Sequence, residues 1–399
     1  MKKNDDVVIV AGARTPIGDF GGSLSSVRAH DLAAVVMNAV IERSGLPKDI
    51  FSDVIFGDCI QCPDEANTAR TAMLKAGLPH EIPATTIQRQ CSSGMQSIIF
   101  GLQQIKCGDS EVVLAGGVES MSSAPYVLST ARWGQRLRHG EMTDAMWEAL
   151  YSGSRVLGEP FIMGQTAENL ARKYNISRAD QDEVALRSHN NAEAAVKAGK
   201  FKDEIVPVPV PQKKGPPKMV DADEHIRFGL TMDALAKLPP AFEKDGTVTA
   251  GNSSGLNDGA AAVIIMRRDK AQELGLKPMA TIIGHAVAAV DPKYMGYGPV
   301  PATQKALAKT GLDLKDIQLI ELNEAFAAQY LSVERGLGLN REITNVNGSG
   351  IGLGHPVGCT GARIIVSLIY EMARRDLTTG LATLCVGGGM GMTTIIERD

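Results

Sequence analysis

A segment near residue 50 of this chain recurs near residue 317. Lys48-Asp-Ile50 leads into Asp53-Val-Ile-Phe-Gly-Asp58, and Lys315-Asp-Ile317 leads into Leu319-Ile-Glu-Leu-Asn-Glu324. The offset from Lys48 to Lys315 is 267 residues. Because self-similarity of this kind is typical of a duplicated unit, the sequence predicts two similar α/β halves.

The first half alternates predicted strands with predicted helices. Val7–Gly12 is a continuous apolar run, and Val54–Gly57 and Val112–Gly117 are further apolar segments. Between the first two, Asp31–Arg43 places its apolar side chains on one helical face, and Gly45 follows as a stop signal. This alternation predicts parallel sheets covered by helices on both faces, which is an α/β fold.

The repeat also relates the segments that carry reactive side chains. Adding the offset to Cys91 gives Gly358, which lies three residues after His355. Val112–Gly117 similarly has a counterpart in Leu381–Gly389. Since equivalent helix starts would be brought together in a duplicated fold, the sequence predicts one shared central site.

The alternation stops between residues 119 and 249, where loop-like sequence surrounds a few helices. We therefore expect residues 1–118 and 250–270 to form an N-terminal half, residues 119–249 an inserted loop domain, and residues 271–399 a C-terminal half. The helices predicted inside the insertion are Ala167–Tyr174 and Gln181–Ala198.

Composition excludes several classes of protein. The net charge of −4 supplies no basic surface for nucleic acid. Leu377–Ile396 is free of charged residues and long enough to span a membrane, but half of it is Thr or Gly, which favours two strands around a turn. The six cysteines are sparse, and Val7–Val10 is too short for the core of a secretory signal, which predicts reduced thiols in a cytoplasmic protein.

Three glycine-rich turns each carry one reactive side chain. They are Gln90-Cys91-Ser-Ser-Gly94, the Asn347–Gly358 segment that contains His355, and the Leu384–Gly391 segment that contains Cys385. Glycine lets the backbone approach a substrate closely and direct N–H groups at it. A thiol nucleophile, a base that activates it and a second proton carrier together indicate acyl transfer.

Each of these residues also has a simpler interpretation. Cys91 precedes a predicted helix, where the dipole should lower the pKa of its thiol, although an isolated cysteine there is more often structural. His355 is the only one of the seven histidines inside a glycine run, which favours a general base over a core or surface residue. Cys385 ends an apolar strand and could be a small core residue, but Gly387 and the two glycines after it could form an oxyanion hole. Asn323 lies where a strand gives way to a helix, a position that suits either ligand binding or helix capping.

Two other motifs have less support. Cys59-Ile-Gln-Cys62 has the CxxC spacing, but no second pair follows, so zinc is disfavoured and a redox role is only a minor alternative. The glycines of Gly348–Gly354 occupy every second position and do not spell the dinucleotide fingerprint. The sequence therefore predicts neither a metal site nor a nucleotide cofactor.

Taken together, the motifs resemble the thiolase family over essentially the whole chain. The segments that carry the resemblance are Val10–Gly18, Gln90–Gly94, Ala115–Met121, Gly251–Gly259, Asn323–Ala327, Gly354–Pro356 and Cys385–Gly389. The resemblance implies a duplicated five-layer α/β/α/β/α fold with an inserted loop domain, and a homodimer or homotetramer.

The resemblance also implies a role for each reactive residue. Cys91 would be the acylated nucleophile, His355 its activating base, and Cys385 the acid/base that handles the methyl proton of acetyl-CoA. Asn323, through a water, and His355 would form one oxyanion hole. The backbone N–H groups of Cys91 and Gly387 would form the other.

The resemblance implies coenzyme A as substrate and product, with no permanently bound cofactor. Ser254 would meet the pantetheine arm, and Arg227 would lie on the cationic side of the nucleotide pocket. The expected reaction is the condensation of two acetyl-CoA to acetoacetyl-CoA, or thiolysis of a 3-ketoacyl-CoA.

Acyl-chain length stays open in the sequence. Ile162 stands where many acetoacetyl-specific members carry histidine, and Lys237–Phe242 and Ala327–Tyr330 look closer to broad-range 3-ketoacyl-CoA thiolases of fatty-acid β-oxidation. Related condensing enzymes of fatty-acid synthesis generally use two histidines with one cysteine, so Cys385 disfavours them. A catalytically silent scaffold or lipid-transfer subunit is the alternative from a different class.

Overall fold

The structure is a computed structural model that describes residues 3–399. No helix in this part of the chain combines the length and the apolar character needed to cross a membrane.

The strands are β1 (Val7–Arg14), β2 (Gly18–Asp19), β3 (Asp53–Gly57), β4 (Ala84–Ile87), β5 (Val112–Ser120), β6 (Tyr126–Val127), β7 (Thr143–Asp144), β8 (Val208–Val210), β9 (Lys218–Val220), β10 (Asn257–Arg267), β11 (Ala280–Ala289), β12 (Leu319–Leu322), β13 (Thr379–Val386) and β14 (Met390–Arg398). The helices are α1 (Ala29–Ser44), α2 (Thr68–Lys75), α3 (Ser93–Cys107), α4 (Ala145–Ala149), α5 (Met163–Lys173), α6 (Arg178–Lys197), α7 (Met232–Ala236), α8 (Arg268–Glu273), α9 (Pro299–Thr310), α10 (Ala327–Leu337), α11 (Gly350–Leu353) and α12 (Val357–Arg374).

Helix boundaries follow local chemistry. α1 buries Leu32, Val36 and Val40 on one face and ends where Gly45 adopts a left-handed conformation (φ 67°), which glycine tolerates without steric cost. At the start of α6, the Ser177 side chain accepts the backbone N–H of Asp180, and the Asp180 carboxylate accepts the N–H of Ser177, a capping box that satisfies two free donors.

The main sheet is continuous across both halves, in the order β12-β13-β14-β11-β1-β10-β5-β3-β4, with β2 beside β10. Parallel pairing is confined to β12 with β13 and to β3 with β4 and β5. The pairs between β13, β14, β11, β1, β10 and β5 are all antiparallel. The prediction of parallel sheets is therefore wrong for the sheet centre. The tight turn between β13 and β14 makes that pair antiparallel, and β10 pairs antiparallel with β1 although the two strands are far apart in the chain.

The five predicted layers are confirmed. α1 and α2 cover the outer face of the N-terminal strands, α3 and α12 pack together between the two halves of the sheet, and α9 and α10 cover the outer face of the C-terminal strands. Neighbouring residues of one strand enter different cores: Val263 of β10 faces the central layer and Ile264 the outer N-terminal layer. Because side chains of a strand alternate between its faces, strands buried on both faces read as continuous apolar runs.

Between β5 and β10 the chain forms α4 to α7, two short hairpins and long loops. The two helices predicted here are confirmed as α5 and α6, each within a few residues of the predicted limits. The predicted strand-turn-strand of Leu377–Ile396 is likewise confirmed by the β13–β14 hairpin.

Candidate active site

The N-terminal ends of the central helices α3 and α12 meet at the carboxyl end of β5. A Cβ atom placed on Gly117 would lie 2.1 Å from the carbonyl oxygen of Gly358, and one placed on Gly94 would lie 2.8 Å from the same atom. Both distances are too short for a real side chain, so glycine is required for this approach. The glycines thus bring the segments that carry Cys91 and His355 to one place, as the repeat predicted.

Cys91 lies two residues before the first residue of α3. The preceding Gln90 has a positive φ of 46°, and its carbonyl oxygen accepts the thiol of Cys59 at 3.1 Å and the hydroxyl of Ser93 at 2.7 Å. Burial raises the pKa of the Cys91 thiol to about 11, although the N–H groups of Gly387 and of Cys91 itself oppose this rise. The prediction of a lowered pKa is therefore wrong, because loss of hydration outweighs the favourable dipoles.

His355 is buried just before α12, and its ring is held by two neighbours. Its backbone N–H donates to Asn257 at 2.8 Å, and its Nδ1 lies 2.7 Å from Oγ1 of Thr360. The single hydroxyl proton of Thr360 points at the carbonyl of Pro356, at 2.9 Å, so the hydrogen-bond pattern assigns the ring proton to Nδ1. Nε2 is then left with a free lone pair. Burial, helped by the charge of Arg363, lowers the pKa of His355 to about 3.

Cys385 lies near the end of β13 and is fully buried. Burial raises the pKa of its thiol well above the ordinary value, and the charge of a Cys91 thiolate would raise it further, which indicates that the two sulfurs are close. The turn after it brings Gly387 to Cys91, where the Gly387 N–H donates toward the Cys91 sulfur. A Cβ atom on Gly387 would lie 2.4 Å from Oγ of Ser152, so a side chain here would have to displace the serine hydroxyl.

Asn323 follows β12 directly and is fully buried. Its Nδ2 lies 3.5 Å from each ring nitrogen of His355. Its Oδ1 is buried and has no hydrogen-bond partner among the residues that the structure describes. An unsatisfied amide oxygen beside the proposed base is suited to hold a water molecule.

A cavity of about 440 Å³ opens onto these groups. Cys91 and His355 line it directly, whereas Cys385, Asn323 and Gly387 lie behind its wall. Most of the remaining lining is apolar and consists of Met121, Leu150, Ile162, Met163, Gly164, Ala241, Phe242, Ala250, Leu256, Met295, Ala325, Phe326 and Val357. The cavity therefore suits an acyl chain beside the reactive thiol.

The two residues predicted to contact coenzyme A also line this cavity. Arg227 is half exposed and its guanidinium lies 3.1 Å from the carboxylate of Asp19. Ser254 donates its backbone N–H to the carbonyl oxygen of Ala325 at 2.9 Å.

The CxxC pair does not form a shared site. The Cys59 thiol donates to Gln90, whereas the Cys62 thiol donates to the carbonyl of Ser123 at 3.1 Å. Cys62 lies near Asp64 and Glu65 in a group that could hold a metal ion, but the guanidinium of Arg28 already faces both carboxylates.

Sequence reasoning missed the residues that support the site. Thr360 sets the tautomer of His355, and Glu119 accepts the backbone N–H of Gly358 at 2.8 Å. Thr360 lies one helical turn after Pro356 at the start of α12, so helical spacing could have found it. Nothing in the sequence places Glu119 beside Gly358, because that contact joins residues 239 positions apart.

The site thus combines a neutral thiol, a neutral imidazole with a free lone pair, and a second buried thiol. Two backbone N–H groups lie beside the Cys91 sulfur, and the amide of Asn323 lies beside the ring of His355. Because both titratable partners are neutral at pH 7, proton transfer must accompany nucleophilic attack. This arrangement can transfer an acyl group through a thioester.

Comparison with known proteins matches both halves of the chain. Residues 7–269 match the family model "Thiolase, N-terminal domain" and residues 276–398 match "Thiolase, C-terminal domain". An acetyl-CoA acetyltransferase of Allochromatium vinosum is 48% identical over 400 residues, which cover 99% of this chain and 100% of that protein.

Two solved structures are similar over nearly the full length. The crystal structure of the Bacillus anthracis acetyl-CoA acetyltransferase has a TM-score of 0.96 and 54% identity, and the match covers 99% of each chain. Human mitochondrial 3-ketoacyl-CoA thiolase in complex with CoA has a TM-score of 0.94 and 44% identity, and the match covers 99% of this chain and 98% of that chain.

Proposed function

Because the chain belongs to the thiolase family, we propose that it joins two acetyl-CoA into acetoacetyl-CoA and CoA, and runs the reverse thiolysis, through an acyl-Cys91 intermediate. It is an acyltransferase whose substrates are CoA thioesters. The observation that carries the residue assignments is that Cys91 and His355 line one cavity while the Gly387 N–H is directed at the Cys91 sulfur.

In the first half-reaction His355 accepts the thiol proton of Cys91 at Nε2 while the sulfur attacks the thioester carbonyl. The N–H groups of Cys91 and Gly387 are placed to hold the oxyanion that forms. Collapse of the tetrahedral intermediate expels the CoA thiolate, which takes the proton of Cys385. The enzyme is then acetylated on Cys91, with an imidazolium at His355 and a thiolate at Cys385 that balance each other in charge.

In the second half-reaction the Cys385 thiolate removes a proton from the methyl group of a second acetyl-CoA. His355 and a water held by Asn323 stabilise the enolate oxygen. The enolate carbon attacks the acetyl group on Cys91, and collapse releases acetoacetyl-CoA and the Cys91 thiolate. His355 returns its proton to Cys91, which restores the starting state.

We propose that acetoacetyl-CoA is the main substrate and that somewhat longer chains are accepted. Ile162 is buried in the cavity wall, and Phe242 packs against Gly164 where any side chain on Gly164 would collide with the ring. An apolar wall of this kind favours added methylene groups. A broad-range role in fatty-acid β-oxidation is the alternative, favoured by the similarity to human 3-ketoacyl-CoA thiolase, but that similarity is lower than the one to acetyl-CoA acetyltransferases.

We also propose that the protein works as a homodimer or homotetramer in the cytoplasm. β4 forms an edge of the main sheet, and an unpaired edge strand is a natural site for pairing with a second copy. Trp133, Leu137 and Val156 of the loop region are more than four-fifths exposed, which favours burial in an assembly. The division into residues 1–118 with 250–270, 119–249 and 271–399 remains our proposal for the domains.

Selective labelling tests the proposed function. Iodoacetamide should alkylate Cys91 ahead of the exposed Cys107, and prior incubation with acetyl-CoA should protect Cys91 alone. Turnover of acetoacetyl-CoA with CoA should stop as Cys91 is labelled. A chain that shows no turnover and no protection of Cys91 by acetyl-CoA would instead fit a silent scaffold or lipid-transfer subunit. Full turnover after Cys91 is alkylated would refute its role as the nucleophile.

A further inference from the structure

Glu119 connects the two segments that carry the proposed nucleophile and base. It lies at the carboxyl end of β5 and is completely buried. Its Oε2 accepts the N–H of Gly358 at 2.8 Å and the N–H of Cys59 at 3.2 Å, and its Oε1 accepts the N–H of Ile60 at 3.1 Å. One carboxyl group thus accepts three backbone donors from two distant segments.

Each of those donors leads to a reactive residue. Gly358 lies three positions after His355 and has no room for a side chain, because a Cβ atom there would lie 2.9 Å from Oε2 of Glu119. The thiol of Cys59 donates a hydrogen bond to the carbonyl oxygen of Gln90 at 3.1 Å, and Gln90 is the residue before Cys91. Glu119 therefore ties the start of α12 to the loop under Cys91.

Asp58, which follows β3, is the partner of Glu119. Its Oδ2 accepts the hydroxyl of Thr68 at 2.6 Å, and its Oδ1 is buried without a donor among the described residues. The two carboxyl groups are within hydrogen-bonding contact of each other, and burial raises the pKa of Asp58 to about 6 and that of Glu119 well above its ordinary value. Two carboxylates in contact in a buried site cannot both ionise, so they hold a proton between them.

The backbone donors fall mainly on Glu119. Both of its oxygens accept backbone N–H groups, three in all, whereas Asp58 accepts the hydroxyl of Thr68 and shares the N–H of Ile60. Because a donor group cannot accept these N–H groups, replacing either oxygen of Glu119 by a donor costs a backbone hydrogen bond. The charged groups that also face the pair are Glu65, Cys59 and Cys91, whose negative forms would be repelled by it.

We propose that Glu119 is a positioning residue that holds His355 in register with Cys91, and that Asp58 is the partner with which it shares one proton. This inference rests on the proposed roles of Cys91 and His355. Neither carboxyl lines the cavity, so their effect is on the alignment of the two reacting groups rather than on CoA binding.

Two isosteric amide variants test the assignment, and each leaves one negative charge in the pair. In Asp58→Asn the amide NH₂ can donate to Glu119 while its oxygen accepts Thr68, so every hydrogen bond is kept. In Glu119→Gln the amide NH₂ replaces one of the two carboxyl oxygens. Oε1 accepts the N–H of Ile60, and Oε2 accepts the N–H groups of Cys59 and Gly358. At least one backbone bond is then lost in either orientation of the amide.

The expected result is asymmetric. Asp58→Asn should keep kcat within about threefold of wild type, because an amide can either donate to Glu119 or accept from it and leaves the backbone bonds of Glu119 in place. Glu119→Gln should lose about 10²-fold in kcat with KM for acetoacetyl-CoA little changed, since misplacement of a reacting group by about 1 Å costs this much. Melting curves show whether each variant is folded.

Three outcomes would overturn the inference. They are a Glu119→Gln enzyme with wild-type kcat, a folded Asp58→Asn enzyme that loses more than tenfold in kcat, or equal losses in both. If Glu119→Gln does not fold, the Asp58→Asn result decides alone by the same threshold. Wild-type enzyme whose Cys91 is not protected by acetyl-CoA would instead sink the proposed function, which separates the two failures.

Discussion

Replacing His355 with alanine should remove the reactivity of Cys91 at neutral pH. The pKa of this thiol is about 11, so at pH 7, four units lower, only about 10⁻⁴ of it is ionised. In the proposed mechanism the wild-type enzyme avoids this limit, because Nε2 of His355 accepts the proton during attack. Without that base only the ionised fraction reacts, and the loss should lie between about 10² and 10⁴-fold.

The pH profile makes the same prediction in a sharper form. The pKa of His355 is about 3, so the ring stays neutral and able to accept a proton throughout the working range. The rate of Cys91 alkylation by iodoacetamide should therefore be nearly level from about pH 5 to 9 in the wild type. In His355→Ala it should rise about tenfold per pH unit, as for a thiol that must ionise first.

The assay follows alkylation of the Cys91 peptide by mass spectrometry at each pH. His80→Ala is a suitable control, because that imidazole is exposed and does not line the cavity. A His355→Ala enzyme with an unchanged rate and an unchanged pH profile would refute the reasoning, since dipoles alone would then activate the thiol.

Cys385→Ala should impair thiolysis of acetoacetyl-CoA much more than exchange of labelled CoA into acetyl-CoA, because only the former needs proton transfer at the α carbon; equal losses in both assays would contradict its role. The wild-type enzyme should cleave 3-ketohexanoyl-CoA at a measurable rate, since each buried methylene contributes about 0.8 kcal/mol, and complete inactivity on it beside activity on acetoacetyl-CoA would rule this out. The pKa of Glu371 is about 2 despite burial, because hydrogen bonds from Asn347, Arg374 and others outweigh it. The folded pKa lies below the unfolded value of 4.5, so this stabilisation is present above pH 4.5 and is lost as the pH falls toward 2. As the pH falls over this range, the melting temperature of Glu371→Gln should therefore fall less than that of wild type. Equal falls in the two melting temperatures would contradict this prediction.

Local patterns in the sequence were sufficient for the helices and for the duplicated architecture. The face of α1, the cap of α6 and the apolar β13–β14 hairpin are all encoded by residues close in the chain. These local patterns could not predict whether neighbouring strands run parallel or antiparallel. β1 pairs with β10, about 250 residues later, and an apolar run has the same appearance in either direction.

Cys91, His355 and Cys385 could be proposed as reactive residues from the sequence because they lie in glycine-rich turns, and the structure places Cys91 and His355 in one cavity. Their protonation states could not be predicted, because burial by distant segments raises the pKa of both cysteines and lowers that of the histidine. The supporting contacts of Glu119 and Ser152 join residues far apart in the chain, and no local signal marks them.

Trapping the acylated enzyme tests the proposed nucleophile most directly. Protein incubated with acetyl-CoA, quenched in acid and digested should carry one acetyl group, and that group should be on Cys91. Cys91→Ser should fold normally, show no turnover of acetoacetyl-CoA and form no acetyl-enzyme during a normal cycle, because a hydroxyl is a poor nucleophile without a stronger base. An acetyl group found on another residue, or turnover that survives in Cys91→Ser, would contradict the central claim.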